Sequence, residues 1–229
     1  SIKRPWQNVV QYITKVEFGE NIKSVGNYAF YGATNLKDIV WGGITTIHNN
    51  AFENSGIEEL TIQSPIVTIE TMAFANCLKL QTINYQNNNI ETSSDIFIGN
   101  INVKTLKITG SGTMKSYTKE TQPWKDVIQY FTNIILSSEI TTIGSYAFYN
   151  MNSLKSIIIP QSVTNIYKYG ISNCPSLNRV VYLNSYSPEI EKIGVFEKCL
   201  HSLVIYGPST FDGKFNDKEV QLATYQLGN

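Results

Sequence analysis

Charge is scarce in this chain. Of its 229 residues, 18 are Lys or Arg and 18 are Asp or Glu, 16% in all, against about a quarter in an ordinary soluble domain. The two signs balance, so there is no basic field to draw nucleic acid or an anionic lipid surface, and neither partner is expected. Long apolar runs are missing too. None approaches the ~20 residues of a membrane-spanning helix, so membrane insertion of this stretch is not expected. No charged stretch, apolar core and cleavage site open the chain, so no signal peptide is read there. "SIKRPW" suggests a cut inside a longer protein. Cysteine is limited to Cys77, Cys174 and Cys199, an odd number that argues against a full disulfide framework. The two histidines, His48 and His201, form no H-E-x-x-H spacing, and no C-x-x-C occurs. Neither a metal nor a cofactor is expected.

What the chain has instead is repetition. "AFYGATNL" starts at Ala29, "AFENSGI" at Ala51, "AFANCLKL" at Ala73 and "AFYNMNSL" at Ala147. Phe30, Phe52, Phe74 and Phe97 are 22, 22 and 23 residues apart; Phe148, Ile171 and Phe196 follow at spacings of 23 and 25. Around each lies one frame: L-x-x-I-x-I, a turn, I-x-x-I, A-F, and a loop ending in the next leucine. The L-x-x-I-x-I end alternates as a strand with one buried face does. It predicts inward pairs Ile39/Trp41, Leu60/Ile62, Ile83/Tyr85, Leu106/Ile108, Ile157/Ile159 and Val180/Tyr182. A single 23-residue turn cannot bury both of its apolar edges, but stacked turns can. Alanine then fits where the backbone turns tightly, and phenylalanine fills the wide part of the coil.

A longer period overlies the short one. "PWQNVVQYITKVEF" at Pro5 returns as "PWKDVIQYFTNIIL" at Pro123, and 14 of the 33 positions 5–37 match 123–155. This places an internal duplication over 5–102 and 123–205. Between the copies, Gly110 and Gly112 permit a tight turn. Pro123 suits the start of a helix with Trp124, Val127, Ile128 and Phe131 on its apolar side. Residues 109–131 are expected to leave the solenoid and close on it with this short helix. The whole of 1–229 is expected to form one repeat domain of about eight or nine coils.

The repeated I-x-x-I-x-x-x-A-F-x-x-C-x-x-L resembles the BspA-like class of leucine-rich repeats, over roughly residues 12–205. Ile96-Phe97 and "YGISNCPSL" depart from it, so those coils are expected to be irregular. The resemblance implies a repeat solenoid with parallel β-strands on one face and short loops or helical turns opposite. It also implies a surface or secreted, extracellular protein with an adhesive role. Its ligand would be a protein or glycoprotein such as host extracellular matrix, or a molecule of another microbe. The alternative is a spacer carrying another domain.

No constellation points to catalysis, and an enzyme is not expected. Cys77, Cys174 and Cys199 share one repeat position with Ala33, Ser55, Asn100 and Met151, which marks a small packing slot. Cys199 and His201 have no third group nearby in sequence to orient them. "GSGTM" lacks the lysine of a phosphate loop. The carboxylate pairs Glu58/Glu59 and Glu189/Glu191 are taken as solvated surface. The outward strand positions are more informative. Ile135, Ile158 and Val181 make an apolar stripe, and Asn133, Ser156 and Arg179 make a polar rim beside it. Exposed apolar residues in a row mark a binding site, or simply record the β-preference of branched side chains. These six residues are the candidate ligand face.

Overall fold

The computed structural model describes residues 4–86, 91–93, 95–190, 194–211, 215 and 220–222. The fold is a parallel β-solenoid of about eight coils with almost no helix. Its residues fall into two compact units. One is Ser1–Lys104 with Pro123–Tyr130, and the other is Thr105–Gln122 with Phe131–Asn229.

In the first unit, Lys15–Glu17 pairs in parallel with Asp38–Val40, and Glu59–Ile62 with Thr82–Tyr85. A second set of strands, only two residues each, runs Ser24–Val25, Thr46–Ile47, Thr68–Ile69 and Glu91–Thr92. The I-x-x-I segments make this second sheet. Ile44 and Ile47, like Ile66 and Ile69, are fully buried at either end of a turn-and-strand step. The expectation of loops or helical turns opposite the long strands is therefore incomplete. A two-residue strand shows no alternation, so periodicity does not reveal it.

The second unit repeats the plan. Thr105–Ile108 pairs with Asn133–Leu136. Ser156–Ile159, Arg179–Tyr182, Val204–Gly207 and Val220–Leu222 pair in sequence. Its short-strand sheet is Gly112–Thr113, Ile140–Ile143, Asn165–Ile166 and Glu189–Ile190. Gly112, at φ +73°, thus takes a left-handed bend inside a coil. Met114 N–H donates to Thr142 O at 3.1 Å and Tyr117 N–H to Ser145 O at 2.8 Å. Part of the stretch read as an excursion is therefore a coil edge paired with its neighbour, with a shift of register between Gly112 and Thr113.

The inward alternation holds. Leu60, Ile62, Ile83, Tyr85, Leu106, Ile108, Ile157, Ile159, Val180 and Tyr182 are buried, as is Trp41; Ile39 is half-exposed. Each such side chain contributes roughly 1.5–3 kcal/mol through burial. The expected short helix is a 3-10 helix, Lys125–Tyr130. Trp124, Val127, Ile128 and Phe131 are all buried. Its first-copy counterpart shrinks to Val10–Tyr12, and Trp6 there is only half-buried.

The A-F pair has a backbone reason. Six of the seven A-F turns among the described residues hold two residues in the left-handed region, four apart, with A-F or the pair that replaces it between them; the turn at Ile96-Phe97 has Gly99 alone. Examples are Asn50 and Asn54, Met72 and Asn76, Tyr146 and Asn150, and Tyr169 and Asn173. Asparagine tolerates this region better than other side chains, which explains the recurring Asn two residues after the aromatic. Within the turn, Phe30 N–H donates to Ala51 O (2.7 Å) and Phe52 N–H to Ala73 O (2.8 Å), tying coil to coil. The rings then stack. Trp6, Phe30, Phe52, Phe74 and Phe97 form a column in the first unit with centroid steps of 5.3, 5.2, 5.3 and 6.0 Å. Ile96-Phe97, where alanine is replaced, still delivers its ring to this column.

The cysteine slot is more than a small space. Its residue donates to the carbonyl of the preceding coil's A-F position. Cys77 Sγ reaches Phe52 O at 3.3 Å, Asn100 Nδ2 Phe74 O at 2.8 Å, Cys174 Sγ Phe148 O at 3.2 Å and Cys199 Sγ Ile171 O at 3.3 Å. Burial pushes the Cys77 thiol up to about 11, with the Ser55 hydroxyl 3.1 Å away only partly offsetting it. These thiols are structural donors.

Candidate binding face

Among the described residues, the long-strand face is interrupted once in each unit. In the first, Asp38–Val40 and Glu59–Ile62 belong to different sheets. A groove of about 660 Å³ lies there, with Lys37, Asp38, Glu58 and Glu59 among its walls. Trp41 spans the break. Its indole N–H donates to Thr61 O at 2.7 Å, and its ring meets Phe52 edge-on at 5.6 Å. Lys37 pairs with Glu58 at 3.1 Å, and Asp38 and Glu59 add further carboxylates to the walls.

In the second unit the interruption falls between Asn133–Leu136 and Ser156–Ile159. It forms a groove of about 360 Å³. Asn133, Ile135 and Leu136 line one wall, and Ser156, Ile158 and Pro160 the other. Ile135 and Ile158 are 43% and 44% exposed. Four of the six candidate residues thus come together on one groove.

Val181 does not belong to the exposed stripe. It is 2% exposed. Its lateral neighbours in register are Ile158 on one side and Tyr206 on the other. The large Tyr206 side chain beside it takes away the solvent that a smaller residue would leave. Arg179 is exposed, but its guanidinium lies 5.2 Å from the Tyr206 ring centre. The outward column does not end at Val181. Extending it by one coil, to the "VIY" at Val204, brings Tyr206 in. Leu183, which also lines the groove, lies past the strand end and carries no periodic signal.

The remaining candidate groups are accounted for locally. His48 Nδ1 lies 3.0 Å from Glu70 Oε1. Glu189 accepts from Asn165 Nδ2 at 3.0 Å; Glu191 lies outside the described residues. Among the described residues no group of three or more His, Cys, Asp or Glu is placed to hold a metal ion. No helix among them is long and apolar enough to cross a membrane.

Coils of this length, with parallel strands and a stacked apolar interior, define a leucine-rich-repeat solenoid. The chain belongs to the BspA type leucine-rich repeat family, whose pattern matches in six copies over residues 7–118 and 127–212. Members of this family are typically surface proteins. No curated protein matches. Among solved structures, a leucine-rich repeat protein from Bacteroides ovatus is similar at 20% identity and a TM-score of 0.54, with 86% of this chain covered. The chain spans about half of that structure, 50%. A leucine-rich cell surface protein from Faecalibacterium prausnitzii has 19% identity and a TM-score of 0.34, with 84% of this chain and 59% of that one covered. The pneumococcal vaccine antigen PcpA has 18% identity and a TM-score of 0.37, with coverages of 88% and 70%.

Proposed function

We propose that this chain is a cell-surface or secreted adhesion module that recognises a protein or glycoprotein of a host or of another microbe. Host extracellular matrix is the partner class the family resemblance suggests. Repeat arrays offer extended, rigid surfaces suited to macromolecules. The observation that carries the reading is the groove flanked by Ile135 and Ile158. Two large aliphatic side chains stand in solvent there, beside the polar groups of Asn133 and Ser156. An apolar centre with a polar rim is the usual anatomy of a contact surface. The ligand face is accordingly Asn133, Ile135, Ser156 and Ile158, with Arg179 and Tyr206 at its border.

The test is a binding screen of the purified chain against immobilised matrix proteins and glycoproteins. Ile158→Lys is compared with the parent. The variant keeps its melting temperature and loses at least tenfold in affinity for whichever probe the parent binds. Equal binding by the two moves the contact elsewhere. Failure of the parent to bind any probe favours the spacer reading.

A further inference from the structure

The gap beside Asp38–Val40 in the first unit is a wedge. Its two coils stay joined on the short-strand side, where Thr46–Ile47 pairs with Thr68–Ile69 and Phe52 stacks on Phe74 at 5.3 Å. On the long-strand side they part. Most Cα pairs of Asp38–Val40 and Glu59–Ile62 stand more than 8 Å apart, whereas adjacent strands of a ladder are ~4.8 Å apart. The glycines after Trp41 draw the chain the other way. A Cβ on Gly42 would stand 2.0 Å from Phe18 O, and one on Gly43 2.0 Å from Glu20 O, so this backbone lies hard against the preceding coil. The opening lays bare a core position. Ile39 is at an inward position and lines the groove half-exposed, while Leu60 and Ile62 of the other wall are buried.

The backbone at the gap is aimed at a strand that is not there. Successive residues of a parallel strand face one neighbour and then the other. Asp38 N–H donates to Thr14 O at 3.3 Å and Val40 O accepts from Phe18 N–H at 2.9 Å, so Ile39 faces the gap. Glu58 O accepts from Thr82 N–H at 3.3 Å and Ile62 O from Gln86 N–H at 2.9 Å, so Thr61 faces it from the other wall. Among the described residues, the N–H and C=O of Ile39 and the N–H of Thr61 meet no backbone partner across it. The Thr61 carbonyl takes the Trp41 indole N–H, 2.7 Å away, a donor standing where a strand would place its own. An unpaired sheet edge is a template for another strand, and here two such edges face each other. The outward side chains set the chemistry. Asp38 and Glu59 hold the same repeat position on the two walls, and both are exposed. Like charges directly opposite one another disfavour closing the ladder. The ammonium groups of the groove are already engaged, Lys15 with Glu17 and Lys37 with Glu58. One cation between Asp38 and Glu59 would answer both carboxylates.

We propose that this gap docks one extended peptide strand of a partner protein, with a Lys or Arg side chain of that strand between Asp38 and Glu59. Its backbone pairs with Ile39 on one side and Thr61 on the other, the mode of recognition known as strand addition. The residue after the cation turns an apolar side chain inward onto Ile39 and Leu60. The next outward residue, between Val40 and Thr61, is β-branched, as suits a pleated surface. The second copy supplies an internal comparison. Ser156–Ile159 is the counterpart of the strand at Asp38, and it pairs in register with Arg179–Tyr182. There the ladder is closed. Ser156 and Arg179 stand in place of the two carboxylates, and Ile159 in place of Trp41. Only the first copy carries the facing acids, the tryptophan and the open ladder. This site is separate from the groove at Ile135 and Ile158, and the two readings fail independently.

The experiment titrates the whole chain with the fluorescein-labelled peptide Thr-Val-Lys-Val-Thr-Val. Three comparisons accompany it: the same peptide with glutamate for lysine, the same peptide N-methylated along its backbone, and a chain carrying Asp38→Asn with Glu59→Gln. The parent binds the lysine peptide, and amide hydrogen exchange at Ile39 and Thr61 slows at least tenfold in its presence. The glutamate peptide and the N-methylated peptide bind the parent at least tenfold more weakly, and the double variant binds the lysine peptide at least tenfold more weakly. Ile158→Lys leaves binding within twofold. If the double variant does not fold, the N-methylated peptide decides, since it keeps every side chain and removes only the strand pairing. The proposal is overturned if the folded parent does not bind the lysine peptide, if any of the three comparisons binds equally well, or if the protection falls outside residues 37–41 and 58–62.

Discussion

Phe74→Ala is the sharpest test of how the repeats hold together. Phe74 has no solvent exposure. Its ring lies between Phe52 at 5.3 Å and Phe97 at 6.0 Å, and Trp41 meets it edge-on at 6.4 Å. Truncating a buried phenylalanine costs about 3–5 kcal/mol through lost burial and the cavity left behind. The column makes collapse into that cavity difficult. Both flanking rings sit on turns whose backbone is pinned by coil-to-coil hydrogen bonds, such as Phe52 N–H to Ala73 O at 2.8 Å and Phe74 N–H to Ile96 O at 3.0 Å. Each lost ring pair adds about 0.5–1.5 kcal/mol to a burial-only estimate. The expected loss is therefore in the upper half of that range, about 4–5 kcal/mol. With a urea dependence of about 2–3 kcal/mol/M, the unfolding midpoint falls by roughly 1.3–2.5 M. Urea titration followed by tryptophan fluorescence and by far-ultraviolet circular dichroism reads this directly. Phe74→Leu, which refills most of the volume, should recover more than half of the loss. A destabilisation below ~1 kcal/mol for Phe74→Ala would falsify the view that the A-F rings are the spine of the core.

Three further outcomes are expected. Val181→Lys should destabilise by several kcal/mol, because it buries a charge beneath Tyr206, while Ile158→Lys, on the same sheet face, should change stability by no more than about 0.5 kcal/mol; equal melting temperatures for the two variants would contradict the burial pattern. The Cys77 thiol is raised from an ordinary value of 9.0 to about 11, so its contribution to stability is complete below pH 9 and is lost as pH rises towards 11; Cys77→Ala should flatten the melting-temperature profile over that window, and an unchanged slope would count against a buried thiol. On the repeat frame, which runs through Val103 to Ile108 and resumes at Ile134, we propose a single cooperative unfolding transition for the whole chain; two calorimetric transitions, with both halves folded after a cut between them, would refute it.

Much of the fold was legible in the residues because a solenoid is a nearest-neighbour structure. Every coil solves the same burial problem, so each solution is written again about 22 residues later. The inward pairs and the Phe column follow from that periodicity. So does the burial of Trp124, which lies on the one apolar side of a short helix. Features that depend on which coil meets which were not legible. The short second sheet is too brief to alternate. The cysteine slot reads as a small packing site, yet its thiols and Asn100 all donate to a carbonyl one coil back. Val181 and Ile158 are both β-branched residues at equivalent outward positions, and nothing local separates them. Their difference comes from the next strand, where Tyr206 stands beside Val181. Facing Ile158, the sheet has opened into a groove. Gly194 has the same character, since a Cβ there would stand 2.8 Å from the Tyr169 ring of the preceding coil. Local sequence determines what each coil buries, because burial is repaid within the coil and its neighbours. Exposure is a property of the surface left over, and only the assembled stack decides it.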